Sequence, residues 1–228
     1  MVNYRTFRLS KLNTPEFEHV KLLLFWPLFG IAFMLLERVF ITDYHVIECA
    51  VDDKIPFCEF FVIPYYFWFV FLIGIQIYSF FFDIPTFKKY MKYTIITYTV
   101  TLAIYIIYPT SQELRPTSFE RQNIFTEIVK FLYGFDTNTN VCPSLHVIGS
   151  MAVYFAARKS KLFSSFGWRA AFCITALLIS VSTVFLKQHS VLDIFYAFVV
   201  CAAAYPFVFM KEAVKGTEKA SKKTEQYI

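Results

Sequence analysis

Apolar residues dominate this chain in blocks separated by short polar stretches, and most blocks approach the roughly 20 residues a helix needs to cross a bilayer. Six spans are read, over residues 20–40, 60–82, 90–108, 143–157, 166–186 and 191–210. The fourth is short, which predicts that it begins in a cavity rather than in lipid. Residues 109–141 form a long connection before it. There Phe119, Ile124, Phe125, Ile128, Val129 and Leu132 recur at roughly helical spacing, which predicts an amphipathic helix lying at the membrane interface. The expected fold is all-α: one polytopic membrane domain over residues 1–228, a six-transmembrane-helix bundle with an interfacial helix in its third outer loop. No internal repeat or low-complexity linker divides it.

Composition agrees with that pattern. Of 228 residues, 57% are hydrophobic, 21% aromatic and only 17% charged, where a soluble domain carries roughly a quarter charged. The first 20 residues are polar, without an apolar core or a small-residue cleavage site, so the first span is expected to act as an uncleaved signal anchor. The net charge of +5 sits mostly at span ends and does not point to nucleic acid. The N-terminus, second loop, fourth loop and tail hold 16 Lys and Arg, against six in the other three loops. By the positive-inside rule both termini are cytoplasmic, the basic tail over residues 211–223 is an anchor, and loops one, three and five face outward, with the plasma membrane as the expected location. In the acidic first outer loop, Cys49 and Cys58 either close a small disulfide loop or remain free thiols. Cys173 and Cys201 read as packing residues, and Cys142 as a bystander rather than a nucleophile. No stripe of small residues dominates any span, so the oligomeric state stays open.

Two outward-facing stretches carry the chemistry. In Val141-Cys142-Pro143-Ser144-Leu145-His146-Val147, a proline suits the first turn of a helix. That turn's free N–H groups and the helix dipole favour an anion, and Ser144 and His146 add a hydroxyl and a proton donor for a phosphate ester. In Lys187-Gln188-His189-Ser190-Val191-Leu192-Asp193, His189 and Asp193 stand four apart on one helical face. A carboxylate on one imidazole nitrogen fixes the tautomer and leaves the other free as base or nucleophile. Arg115, just past the third span, reads either as a snorkelling interfacial residue or as a bidentate phosphate fork. Two His and an Asp also make a partial metal set, but neither an H-E-x-x-H helix nor a third His beside them supports one. The Gly-x-Ser-x-Gly elbow of a serine hydrolase is missing.

At these residues the chain resembles the type 2 phosphatidic acid phosphatase (PAP2) superfamily, and within it the branch of inositol phosphorylceramide synthase and sphingomyelin synthase-like phosphotransferases. Arg115-Pro116 matches the end of that family's first motif, Pro143-Ser144-Leu145-His146 its second, and Ser182, His189 and Asp193 its third. Two positions depart from the phosphatase pattern: Tyr108 stands where a lysine is expected and Thr183 where an arginine is expected, and Lys187 replaces some of that charge. The resemblance implies catalytic roles for three residues. His189 attacks phosphorus to form a phosphohistidine, Asp193 orients it, and His146 protonates the leaving alcohol. Arg115, Ser144 and Lys187 are the implied phosphate-binding residues. It implies no metal and no cofactor, a membrane lipid phosphoester as substrate, and water or an alcohol as acceptor. The alternative is a lipid-binding or transport protein that keeps the fold without catalysis.

Overall fold

The computed structural model describes residues 2–40 and 43–210, which are mostly helical. The tail anchor expected over residues 211–223 lies outside them. Among the described residues five helical stretches are long and apolar enough to cross a membrane: Glu18–Arg38, Glu59–Phe82, Ile84–Ile107, Phe166–Phe185 and Val191–Met210. The first is composite. A 3-10 turn, Glu18–Leu24, runs into α1 (Phe25–Leu35) and ends in a π turn, Leu36–Phe40. Pro27 falls in the first turn of α1, where a missing N–H costs no helical bond.

The next two spans, α2 (Val62–Phe82) and α3 (Ile84–Ile107), are joined by one residue. Asp83 ends α2 and caps α3, its carboxylate accepting from the Thr86 N–H at 3.2 Å, with Pro85 in the first turn behind it. α3 therefore starts six residues earlier than the apolar pattern predicts, because its first turn is set by a cap and not by hydropathy. The interfacial helix is α4 (Ile124–Phe135), opened by a capping box between Asn123 and Thr126. It buries Val129 and Leu132 and leaves Ile124, Phe131 and Phe135 exposed.

The expected fourth span is α5 (Leu145–Ala157), followed by α6 (Phe166–Phe185) and α7 (Val191–Tyr205). α5 is 13 residues long, about 20 Å, too short to cross a bilayer by itself. It needs no such length, because it packs against α2, α3, α6 and α7 at the centre of the bundle. Gly149, Ala152 and Ala156 keep its α3-facing turns slim, while α3 presents Phe87, Tyr90, Met91, Thr94, Tyr98, Thr101 and Tyr105 as a buried stripe at helical spacing.

At Gly149 the fit is close. A Cβ there would lie 2.7 Å from Tyr98 Oη and 3.0 Å from Trp68 Nε1. Gly149→Ala should overpack this contact and lower stability by about 1–3 kcal/mol, read as a drop in thermal midpoint in detergent. An unchanged midpoint would mean that the two aromatic side chains yield freely.

The first, third and fifth loops interlock at one end of the bundle. β1 (His45–Val46) and β2 (Thr110–Ser111) form a parallel pair between the first and third loops, two residues each and below the reach of any period-2 pattern. Glu37, at the end of the first span, accepts from Thr137, from Thr139 at 3.1 Å and from Asn140 at 2.9 Å. Cys49 and Cys58 are both free thiols, so the loop is held by hydrogen bonds and not by a disulfide.

Candidate active site

The turn between α6 and α7 places the first histidine. α6 ends in a Schellman motif: the Gln188 N–H reaches back to the Thr183 carbonyl at 2.9 Å and the Lys187 N–H to that of Val184 at 3.0 Å. The residue that turns the chain is Lys187, at φ 54°, a left-handed position usually held by glycine. Three residues on, Ser190 caps α7 in a capping box with Asp193, whose Oδ2 accepts the Ser190 N–H at 3.0 Å. The same oxygen meets His189 Nδ1 at 3.0 Å. A helix start thus holds the carboxylate, and the carboxylate holds the imidazole. With Nδ1–H on Asp193, Nε2 keeps its lone pair.

Asp52, in the loop between the first two spans, braces this turn. Fully buried, it accepts from Ser190 Oγ at 2.6 Å, the Val191 N–H at 2.8 Å and the Cys49 N–H at 2.8 Å. Burial opposes its ionisation, but these hydrogen bonds together outweigh burial and hold its carboxyl below the usual range. Its backbone carbonyl takes the Lys187 ammonium at 2.6 Å.

The second histidine stands at the start of α5. The helix begins at Leu145 with Ser144 as N-cap, so Pro143 precedes the helix and does not occupy its first turn as expected; the Cys142–Pro143 peptide is cis. Ser144 supplies no side-chain cap, which leaves the first-turn N–H groups without one. The two motifs touch through the backbone, where the Ser144 N–H donates to the Asp193 carbonyl at 3.2 Å, and Tyr105 Oη fixes the Pro143 carbonyl at 2.6 Å. His146 lies against Tyr65 and Trp68, at 4.5 and 4.4 Å between ring centroids, and meets His189 edge-on at 5.6 Å.

Both histidines line a cavity of about 400 Å³. Its other walls are largely aromatic, with Trp26, Phe29 and Phe33 of α1, Tyr66 and Trp68 of α2, and Tyr98 of α3, and polar where Asp136, Asn140 and Gln188 join them. From Phe33 to Trp26 the wall runs about 10 Å along α1. Asp193 stands behind His189 and does not line it.

The three residues expected to bind phosphate do not line it either. Arg115 donates to the Tyr133 carbonyl at 3.1 Å and the Asp136 carbonyl at 2.7 Å, capping the C-terminus of α4, with its guanidinium 4.6 Å over the Tyr133 ring. Burial lowers its pKa, opposed by the charge of Asp136. Lys187 is held by the Asp52 carbonyl. Ser144 Oγ is buried with no hydrogen-bond partner among the described residues. A helix end explains the placement of Arg115, since the exposed terminal carbonyls of α4 compete for a nearby cation. Cys142 is buried beside Asp193, and burial first, then that carboxylate, raises its thiol well above the ordinary value, so it stays protonated.

One cavity residue goes unread in the sequence. Asp136, just past α4, accepts through Oδ2 from Tyr65 Oη and from Gln188 Nε2, the latter at 3.3 Å. Tyr65 in turn packs on His146, and Gln188 precedes His189, so Asp136 fastens the carriers of both histidines.

The fold defines an α-helical membrane protein with two histidines facing one largely aromatic cavity at the end where its first, third and fifth loops meet. No protein-family model, curated protein or solved structure matches the chain.

Proposed function

We propose that this protein is an integral membrane enzyme of PAP2 type that cleaves a lipid phosphoester at the extracytoplasmic face through a phosphohistidine, passing the phosphoryl-bearing group to water or an alcohol. The observation that carries the reading is the pairing of His189 Nδ1 with buried Asp193 at 3.0 Å, beside His146 and over an aromatic cavity that descends among the spans. In this reading the five spans and α5 together make the six-helix core, and the cavity takes the part of the lipid next to its phosphate.

His189 Nε2 attacks phosphorus and the bond to the leaving oxygen breaks as His146 gives that oxygen a proton. His146 then takes the proton of the incoming hydroxyl, whose oxygen displaces His189 and restores it. Asp193 keeps the Nδ1 proton and stabilises the positive charge that forms on the ring. The uncapped N–H groups at the start of α5, where Leu145 and His146 line the cavity, take the phosphoryl oxygens, and Ser144 acts as the residue from which that helix starts. Arg115 and Lys187 act at one remove, as braces of α4 and of the His189 turn.

The rival reading, a lipid-binding protein without chemistry, draws support from the cavity wall, which holds no Lys or Arg among its described residues. Against it stands Asp193, a carboxylate buried in order to orient one imidazole. Trapping decides between them. Protein incubated with a phosphorus-labelled lipid phosphoester in EDTA, then denatured, should carry label that is stable to base and lost in acid, on His189. Turnover without any such label would overturn the covalent route, and neither label nor turnover across phosphatidic acid, a prenyl diphosphate and a phospholipid with an alcohol would favour the binder.

A further inference from the structure

The cavity is not walled off on its membrane side. Of the residues that line it, Phe69 is 45%, Phe131 70% and Phe135 75% exposed. Phe69 lies about 10 Å along α2 from its start at Val62, a depth at which the surroundings are hydrocarbon and not water. The facing wall is α1, which brings Trp26, Phe29 and Phe33 to the cavity and buries no residue along its length. Its span is the least buried of the five. The rings of α1 meet Tyr98 and Tyr105 of α3, and among the described residues none meets a ring of α2. One side-chain hydrogen bond between described residues joins the two helices: Trp26 Nε1 donates to Gln76 Oε1 at 2.8 Å. Beyond that contact α1 is pinned at both ends, below by buried Phe17 and His19 and above by buried Leu36 and the Glu37 contacts to Thr139 and Asn140. Beside Trp26 the span changes from a 3-10 turn to α-helix, at Leu24–Phe25, and such a change is a place for a hinge.

The geometry points to a lateral portal: a lipid tail passes between the bilayer and the cavity through the gap between α1 and α2, and the Trp26–Gln76 hydrogen bond is its latch. Pinned at its ends, α1 widens the gap by bowing away from α2. That motion costs one hydrogen bond and unpacks no buried side chain of α1. A lipid that enters this way keeps its tail in hydrocarbon while its phosphate reaches the histidines. The inference rests on the reading that the cavity takes a lipid, which the enzyme and its rival share, and not on the chemistry at His189.

Photolabelling from the bilayer tests the route. The full chain is placed in nanodiscs with phosphatidylcholine that bears a diazirine in its acyl chain, and is irradiated. Tyr98 and Tyr105 line the cavity and are almost fully buried, so a tail reaches them only from inside it. Adducts are expected on both, as well as on the exposed Ile63 and Val70. Joining Phe33→Cys to Phe69→Cys with a short bismaleimide, in protein whose Cys49, Cys58 and Cys173 are changed to serine, should abolish the tyrosine adducts and leave those on Ile63 and Val70. Wild-type protein without tyrosine adducts, or tyrosine adducts that survive the tether, overturns the portal. For the latch, spin labels on Met34→Cys and Ile73→Cys, both exposed positions, read the separation of α1 and α2. Gln76→Leu and Trp26→Phe should each enlarge the wider population about threefold to fivefold, the worth of one hydrogen bond inside a bilayer, and together no further. A population that neither variant changes overturns the latch. Turnover without tyrosine adducts would keep the enzyme reading and sink the portal, and tether-sensitive adducts in a protein that never turns over would do the reverse.

Discussion

On the proposed phosphohistidine route, His189→Ala is expected to lower turnover of a lipid phosphoester by about three orders of magnitude or more, while the protein keeps its fold and its cavity. The expectation follows from what the side chain does and does not hold. Its imidazole makes one contact to the carboxylate of Asp193 and one edge contact to His146. The turn that carries it is built from backbone bonds, including that of its own N–H to Thr183 at 3.2 Å, which alanine retains. Removal therefore takes away a nucleophile without dismantling the scaffold, and residual rate comes only from binding and from the remaining donors. The folding cost is about 1–2 kcal/mol, for a carboxylate that loses one of two partners. Steady-state turnover in EDTA, set beside a thermal scan of the same preparation, checks both halves. A variant that turns over at the wild-type rate removes the phosphohistidine from the mechanism.

The largest effect on stability belongs to a residue that never touches the cavity. Asp52→Ala strips acceptors from the Ser190 hydroxyl and the Val191 and Cys49 N–H groups, all at the buried mouth of α7. The expected loss is about 3 kcal/mol, from several donors left unpaired at once. Turnover falls with it, because Ser190 is also the cap that sets Asp193. The same contacts give an acid limb. The folded carboxyl of Asp52 lies below its unfolded value, so its contribution is complete above the ordinary carboxylate pKa of about 4 and is lost as pH falls through the depressed folded value. Thermal midpoints measured across pH 2–6 should drop towards acid in the wild type and flatten in Asp52→Asn. Parallel curves for the two proteins would assign the acid limb to other carboxylates.

The spans were legible because hydropathy is a local property: each apolar run announces itself without reference to its neighbours. The His189–Asp193 pair was legible for the same reason, through its spacing of four, and Ser190-Val191-Leu192-Asp193 carries in addition the local signature of a capping box, the signal that explains how the carboxylate is fixed. Asp52 was not legible. It is one of five acidic residues in its loop, and what distinguishes it is a serine 138 positions away. Arg115 shows the converse limit. A guanidinium beside a proline looks the same in sequence whether it faces a phosphate or caps a helix, and only the end of α4 decides. Asp136 reads as a polar residue after a helix until α2 brings Tyr65 to its carboxylate. Position along a helix is written locally, while the partner of a buried charge is written in the fold.

The interlocking of the first, third and fifth loops has a consequence for biogenesis. The brace in loop one emerges from the ribosome long before the turn it supports, and Glu37 waits for residues up to 103 positions later. Through most of synthesis the early spans sit in the bilayer with Asp52 and Glu37 lacking their native partners. The two histidines meet, and the cavity acquires its mouth, only after the last span has been inserted. A chain stalled before α7 would lack the helix start that holds Asp193, so the order of translation leaves the His189–Asp193 pair unformed until the whole bundle is in place.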